Sequence, residues 1–103
     1  MIRAEFYETE GLMSGFSFSG HAGYAESGSD VVCAAVSSAV QLTANLLDDF
    51  GFSPDVNVGN NIVKCCVKKG DKSSDKLIRS LRSHLEAVLD EYPKTIKITT
   101  LEV

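Results

Sequence analysis

A long stripe of apolar residues at helical spacing is the feature that most constrains the fold. Residues three and four positions apart lie on one face of a helix, so the stripe predicts an amphipathic helix over about residues 31–50. Gly51 and Pro54 are typical of the end of such a helix. The stripe consists of Val32, Ala35, Val36, Ala39, Leu42, Thr43, Leu46, Leu47 and Phe50.

A second stripe predicts a second helix, which Pro93 ends. Ser73 and Ser74 are its candidate N-caps, because a serine hydroxyl can accept from the free amides at a helix start. The stripe consists of Leu77, Leu81, Leu85, Val88, Leu89 and Tyr92.

Stretches in which apolar and polar residues alternate predict five strands. Residues 9–11 and 59–61 contain the glycine and asparagine of short turns, so the first four strands form two hairpins. The predicted strands are 2–8, 12–19, 56–58, 62–67 and 96–100.

These elements follow one another in the order ββαββαβ. Each helix has one apolar stripe and each strand one apolar face, which favours two helices packed against a five-stranded mixed sheet. We therefore predict an α+β fold in which residues 1–103 form a single domain. The order of the strands within the sheet stays open.

Composition limits the classes of partner. The formal net charge is −4, from 14 acidic and 10 basic residues, and no block of Lys and Arg occurs. This charge pattern argues against nucleic-acid binding. No apolar run approaches the roughly 18 residues of a membrane span, and the acidic N-terminal residues do not resemble a signal peptide. Three irregularly spaced cysteines fit a reducing compartment, and we expect the protein in the cytoplasm.

Residues 20–33 combine an imidazole and a thiol in a pattern typical of nucleophilic catalysis. His21 follows a predicted strand, and Cys33 falls in the first turn of the first helix. If Asp30 caps that helix, Cys33 is the third helical residue, where the helix dipole and free amides favour a thiolate. An imidazole nearby would stabilise the ion pair. We predict a Cys-His pair able to carry out acyl transfer without a metal or other cofactor.

The residues between His21 and Asp30 have little to pack against a core. Tyr24 is their only large side chain, so we expect a loop that closes over a bound peptide. The loop comprises Ala22, Gly23, Tyr24, Ala25, Glu26, Ser27, Gly28 and Ser29.

Other interpretations of these residues are structural. Cys33 fits a small buried apolar residue, and a histidine at a strand end is commonly solvated. Ser37 lies one turn beyond Cys33, where it can contact the sulfur or bond the carbonyl four residues back. Cys65 and Cys66 point to opposite faces of a strand, so both are expected to be structural.

The same residues could in principle bind a metal ion or a phosphate group. A metal site built from His21, Asp30, Cys33 and His84 is disfavoured because closely spaced ligand pairs are absent. His84 is expected to be half-buried on the flank of the second helix. Phosphate binding by the glycines of the loop is disfavoured because no Gly-Lys-Ser/Thr follows them and Glu26 and Asp30 would repel an anion.

The segments Ser19-Gly20-His21-Ala22 and Gly28-Ser29-Asp30-Val31-Val32-Cys33-Ala34-Ala35-Val36-Ser37 resemble the bacterial ribosomal-processing cysteine protease family, Prp. The chain length and element order are similar as well. The resemblance implies a homodimeric endopeptidase of Firmicutes and related bacteria. Its substrate would be large-subunit ribosomal protein number twenty-seven, from which it would remove a short N-terminal extension after a pair of aromatic residues.

The same resemblance implies roles for four positions of the motif. Cys33 would be the nucleophile and His21 the general base and proton donor, with Asp30 and Ser37 in supporting roles. Residues 22–29 would order over the substrate. Two other functions stay open: a noncatalytic ribosome-assembly or peptide-binding module, and a cysteine-dependent redox or acyl-transfer enzyme of other specificity.

Overall fold

The computed structural model describes the backbone of residues 1–20 and 29–103 and their side chains except those of Ser29 and Asp30. The chain folds into one compact α+β domain in the predicted order ββαββαβ. The elements are β1 (Ile2–Thr9), β2 (Leu12–Ser19), α1 (Ser29–Asp49), β3 (Asp55–Gly59), β4 (Ile62–Cys66), α2 (Lys72–Glu91) and β5 (Ile96–Glu102).

The five strands form one mixed sheet in the order β3-β4-β2-β1-β5. The two hairpins are antiparallel, and β2 joins them through its antiparallel pairing with β4. The last strand, β5, runs parallel to β1. This arrangement confirms the predicted sheet of five strands and makes β3 an outer strand.

Both turns have positive φ at each of their two central residues, which glycine and asparagine favour and which Glu10 adopts although its residue type does not predict it. Glu10 and Gly11 have φ values of 53° and 82°, and Asn60 and Asn61 have 49° and 64°. Two consecutive residues with positive φ form the two-residue turn that matches the twist of an antiparallel hairpin. Each turn therefore fixes the register of its hairpin.

Both helices bury part of their stripes in one core with the apolar face of the sheet, whereas Leu42 and Phe50 of the predicted α1 stripe are exposed. Three phenylalanines lie at its centre, and the rings of Phe6 and Phe18 meet edge to face with centroids 5.9 Å apart. The fully buried side chains also include Phe16, Val32 and Leu85. The core therefore holds α1 and α2 on one side of the sheet.

Helix α1 ends as the sequence predicts. Gly51 has a φ of +87°, and its N–H donates to the Asp48 carbonyl while the Phe52 N–H donates to the Leu47 carbonyl. These two hydrogen bonds make a Schellman motif, in which the left-handed residue is usually glycine.

Helix α1 also contains a segment, Val31–Asp49, that is long and apolar enough to cross a membrane by length and composition alone. Its apolar residues do not form an unbroken run, because Ser, Thr, Gln and Asn interrupt them without adding charge. In this fold Val32, Val36 and Leu47 of the helix are buried in the core. A core helix passes the same test of length and composition.

The predicted N-cap of α2 was wrong. Asp71, and neither Ser73 nor Ser74, is the cap, and its carboxylate accepts from the N–H groups of both serines at 2.7 and 3.2 Å. The Ser74 hydroxyl accepts in turn from the Asp71 N–H at 2.8 Å. This reciprocal pair is a capping box, which satisfies two otherwise unpaired amides together.

A carboxylate on α2 ties the helix to the β1–β2 hairpin. Asp75 accepts a hydrogen bond from the Met13 N–H at 2.7 Å and two from the Arg79 Nε–H at 2.8 and 3.0 Å. Burial alone would raise the pKa of Asp75, but the bonds from Met13 and Arg79 and the Arg79 charge outweigh it and lower the pKa. Arg79 also donates to the Gly11 carbonyl at 3.2 Å.

We expect Asp75→Ala to lower the free energy of unfolding at pH 7 by about 1.5–3 kcal/mol, as for hydrogen bonds to charged groups. A lowered pKa in the folded state stabilises the protein above the unfolded-state pKa of about 3.9, and that stabilisation is lost as the pH falls through the folded-state pKa. Urea unfolding should therefore show a smaller difference in the free energy of unfolding between the wild type and Asp75→Ala at pH 3 than at pH 7. Asp90→Ala, at an exposed position of α2, is the control, and an equal loss in both variants would contradict this role.

Candidate active site

A cavity of about 360 Å³ lies beside the start of α1, between the helix and strands β2, β3 and β4. Cys33 lines it and is half-buried. Ser37, one helical turn further along, lines the same cavity and is exposed. The predicted proximity of Cys33 and Ser37 on one helix face is therefore present, and the thiol lies at the edge of a space open to a ligand.

The position of Cys33 follows from its neighbours in α1. Val32 and Val36 are buried and fix the rotation of the helix against the sheet. Cys33 follows Val32 at the border of this buried face and packs partly against the core. Cys33 therefore borders the cavity from a rigid element.

Gly20 brings the end of β2 to the same cavity. It lines the cavity together with Ser19 and Cys33 and has a φ of +86°. A Cβ at this position would lie 2.6 Å from the Met1 carbonyl oxygen, so a side chain would be obstructed as well as strained. The residue that precedes His21 therefore lies beside the thiol's cavity, as the prediction of a base near Cys33 requires.

Part of the predicted site lies outside the described residues. His21 and loop residues 22–28 belong to this part, so the pairing of His21 with Cys33 stays a prediction. Ser29 is described only by its backbone, as the first residue of α1. The predicted closure of the loop over a peptide also stays a prediction.

The start of α1 corrects the predicted helix cap. The sequence predicted Asp30 as the N-cap and Cys33 as the third helical residue. The helix instead begins at Ser29, so Asp30 is its second residue and Cys33 its fifth. The helix extends further toward the N-terminus than the apolar stripe. The stripe could not reveal this first turn, because its serine and aspartate have no apolar side chains. An acidic residue in a first turn is still favoured by the helix dipole.

The other two cysteines have the environments of structural residues. Cys65 is completely buried in the core, and burial, followed by the neighbouring Cys66, raises its pKa to about 11. Cys66 is half-buried, and burial also raises its pKa although the Lys64 charge acts in the opposite direction. Burial therefore disfavours the thiolate, which is the reactive form, at both positions.

His84 is not where the sequence placed it. It is exposed rather than half-buried, and it lines a groove between α1 and α2 instead of the Cys33 cavity. Within residues 1–20 and 29–103, no group of three or more His, Cys, Asp or Glu side chains can hold a metal ion. The expectation that no metal or other cofactor is needed stays a prediction.

The sequence did not reveal the wall of the cavity opposite Cys33. This wall comes from the β3–β4 hairpin and includes Val58, Ile62 and Val63, with Asn60 and Asn61 at the turn. In the sequence these residues indicated only a hairpin. The unusual exposure of Val58 and Ile62, at 76% and 46%, depends on how far α1 covers the sheet.

Comparison with known proteins identifies the class. Residues 1–97 match the model of a family of cysteine peptidases described as "Cysteine protease Prp". The match covers nearly the whole chain, and the chain belongs to the cysteine protease Prp family. This confirms the resemblance inferred from the motifs around His21 and Cys33. No match was found among curated proteins.

Solved structures with the same fold include two complexes of the ribosomal processing protease Prp from S. aureus. The complex with a substrate peptide has a TM-score of 0.86 at 20% identity, covering 98% of this chain and 100% of the other. The complex with a covalently linked product peptide has a TM-score of 0.85 at 21% identity and the same coverage. SMU.848 from Streptococcus mutans has a TM-score of 0.81 at 23% identity, covering 100% of this chain and 96% of the other.

The environments of the three thiols predict selective alkylation. We expect iodoacetamide at pH 7.5 to modify Cys33 in the folded protein while sparing Cys65 and Cys66, because Cys65 is completely buried and burial disfavours the thiolate at both positions. Peptide mapping by mass spectrometry identifies the modified residue. In urea all three should react, which controls for detection, and modification of Cys65 at the rate of Cys33 in the folded protein would contradict the assignment.

Proposed function

We propose that this protein is a cytoplasmic endopeptidase that removes the short N-terminal extension of large-subunit ribosomal protein twenty-seven during ribosome maturation. The observation that carries the proposal is the family match over residues 1–97 together with Cys33 at the edge of a cavity that Gly20 also lines. The S. aureus relative described as a ribosomal processing protease, solved with a substrate peptide, supports the substrate class.

Cys33 is the nucleophile of the proposed reaction, and His21 is its general base. His21 takes the thiol proton, and the sulfur attacks the scissile carbonyl carbon to form a tetrahedral intermediate. The amine leaves with a proton from His21, and a thioester remains on Cys33. Water, activated by His21, then attacks the thioester and releases the acid product together with the free thiol.

The start of α1 provides electrostatic stabilisation for this reaction. The N–H groups at the start of a helix have no partner within the helix, and in α1 they include those of residues 29–31, shortly before Cys33. Such amides can donate to the oxyanion of the tetrahedral intermediate. Asp30 and Ser37 support the site, and residues 22–29 close over the substrate in this proposal.

The partner assignments follow the same reasoning. The unprocessed ribosomal protein is the substrate, and the protein does not itself bind nucleic acid or a membrane. We also propose a homodimer, which the family resemblance and the exposed apolar residues Val31, Leu42 and Phe50 of α1 support. Light scattering during gel filtration tests this assignment through the molar mass, and a monomer at micromolar concentration would exclude it.

Cleavage of the natural substrate tests the proposed activity. We expect the wild-type protein to shorten the unprocessed ribosomal protein at one site, and Cys33→Ala to abolish cleavage because no nucleophile remains. His21→Ala should lower kcat by about 10²–10⁴, the usual contribution of general acid–base catalysis. Intact-mass spectrometry measures the product, and Cys66→Ala is the control that should retain activity.

The same experiment separates the remaining functions. A noncatalytic binding module would leave the substrate intact and bind it equally well as the wild type and as Cys33→Ala. A redox or other acyl-transfer enzyme would have a reactive Cys33 without cleavage at a defined site. Either result would overturn the proposed peptidase activity.

The activated thiol gives a further prediction. If His21 activates Cys33, His21→Ala should slow the alkylation of Cys33 at neutral pH. Quenched iodoacetamide labelling followed by peptide mapping measures the rate, and an unchanged rate in His21→Ala would contradict the pair.

A further inference from the structure

We propose that the turn between β3 and β4 binds the main chain of the substrate peptide through the carboxamide of Asn61. This inference rests on the proposed peptidase function and adds a substrate-binding residue to the site. Asn60 and Asn61 are the two central residues of the turn, and both line the Cys33 cavity of about 360 Å³. The turn is therefore within reach of a peptide that occupies this cavity.

Asparagine at position 61 is not the residue that the turn itself favours. Both central residues have positive φ, 49° at Asn60 and 64° at Asn61, and hairpin turns of this kind favour asparagine or aspartate first and glycine second. The β1–β2 turn has glycine at its second position, where Gly11 has a φ of 82°. The turn geometry therefore explains Asn60 but gives no reason for the side chain of Asn61.

The side chains of both asparagines are accessible to a ligand. Both residues are exposed, and within residues 1–20 and 29–103 neither carboxamide makes a hydrogen bond. Each carboxamide has two N–H donors and one acceptor oxygen, and a peptide unit has the same kinds of group. A carboxamide at the edge of the cavity can therefore pair with a peptide group without selecting a substrate side chain.

The Cys33 cavity has few other side chains that could pair with a peptide main chain. In the part of the chain that the structure describes, no charged side chain lines it, and its walls are mainly apolar. Apart from Cys33 and the two asparagines, its polar side chains are the hydroxyls of Ser19 and Ser37. Peptide groups that leave water without a hydrogen-bond partner weaken binding, so the carboxamides across from the thiol supply partners that the apolar walls lack.

Replacement by glycine separates a role in binding from a role in the fold. Asn61→Gly gives the second turn position the residue type that it favours, so the midpoint of thermal unfolding should stay unchanged or rise. The same change removes the carboxamide, so it should weaken peptide binding. A purely structural role of Asn61 predicts no loss of binding while the fold is intact.

Fluorescence anisotropy measures Kd on the Cys33→Ala protein, where no cleavage occurs, with a synthetic peptide that spans the processing site of ribosomal protein twenty-seven. We expect Asn61→Gly to raise Kd about three- to tenfold, the usual effect of losing one neutral hydrogen bond. Glu10→Gly is the matched control, because it removes a side chain at a positive-φ position of the β1–β2 turn. The eight residues of β2 separate that turn from the cavity, a distance of about 25 Å, so its Kd should be unchanged.

A series of ester-containing peptides tests whether Asn61 binds the main chain. Replacing one peptide bond by an ester removes its N–H and weakens its carbonyl as an acceptor, while every side chain stays the same. At one position of the series, the ester should cost less affinity in Asn61→Gly than in the protein with Asn61, because both changes remove the same hydrogen bond. At the other positions the two effects should be additive.

The outcomes distinguish this proposal from the peptidase activity. An unchanged Kd in Asn61→Gly, an equal loss in Glu10→Gly, or a fall in the unfolding midpoint that accompanies the loss would overturn the role of Asn61. A loss of affinity with additive effects at every ester position would assign Asn61 to a contact within this chain and also overturn it. If one ester position couples to Asn61 but the protein with Cys33 does not shorten the unprocessed ribosomal protein, the turn still binds peptide and the peptidase proposal fails.

Discussion

The packing of α1 against the centre of the sheet is the interaction on which the site depends. Val32, Val36 and Val40 are all buried, and they set both the height and the rotation of the helix. Cys33 follows the first of them, so its direction is determined by core packing rather than by a loop. In the proposed reaction Cys33 is therefore held by a rigid element, which needs little reorganisation when the substrate binds.

The same packing leaves the outer strand partly uncovered. Helix α1 lies over Phe18, which is 6% exposed, whereas Val58 on β3 remains 76% exposed. Exposed apolar side chains on an outer strand favour unwanted association unless they are used or protected. The position of the helix therefore determines which apolar residues of the sheet stay accessible beside the Cys33 cavity.

The local structure was largely predictable because it depends on neighbours in sequence. The turns at Gly11 and Asn60, the end of α1 at Gly51 and the alternating strands all appear where residue type and spacing place them. The N-cap of α2 was harder to assign, because Asp71, Ser73 and Ser74 all have side chains that can cap. The choice depends on the reciprocal bond between Asp71 and Ser74, which residue type alone does not reveal.

The features that escaped prediction depend on contacts between distant segments. The parallel pairing of β5 with β1 joins the two ends of the chain. The alternation of apolar and polar residues along each strand does not reveal which strands pair. The exposure of Val58 likewise depends on where α1 crosses the sheet. The sequence therefore identified the thiol, but the wall facing it could be recognised only from the fold.

The most direct test is a crystal structure of the wild-type protein with a substrate-derived peptide aldehyde, which reacts reversibly with an active-site thiol. Our account predicts a covalent bond between the Cys33 sulfur and the aldehyde carbon, with His21 within hydrogen-bonding distance. An aldehyde bound elsewhere, or bound at Cys33 with His21 on the opposite face of the molecule, would contradict the account.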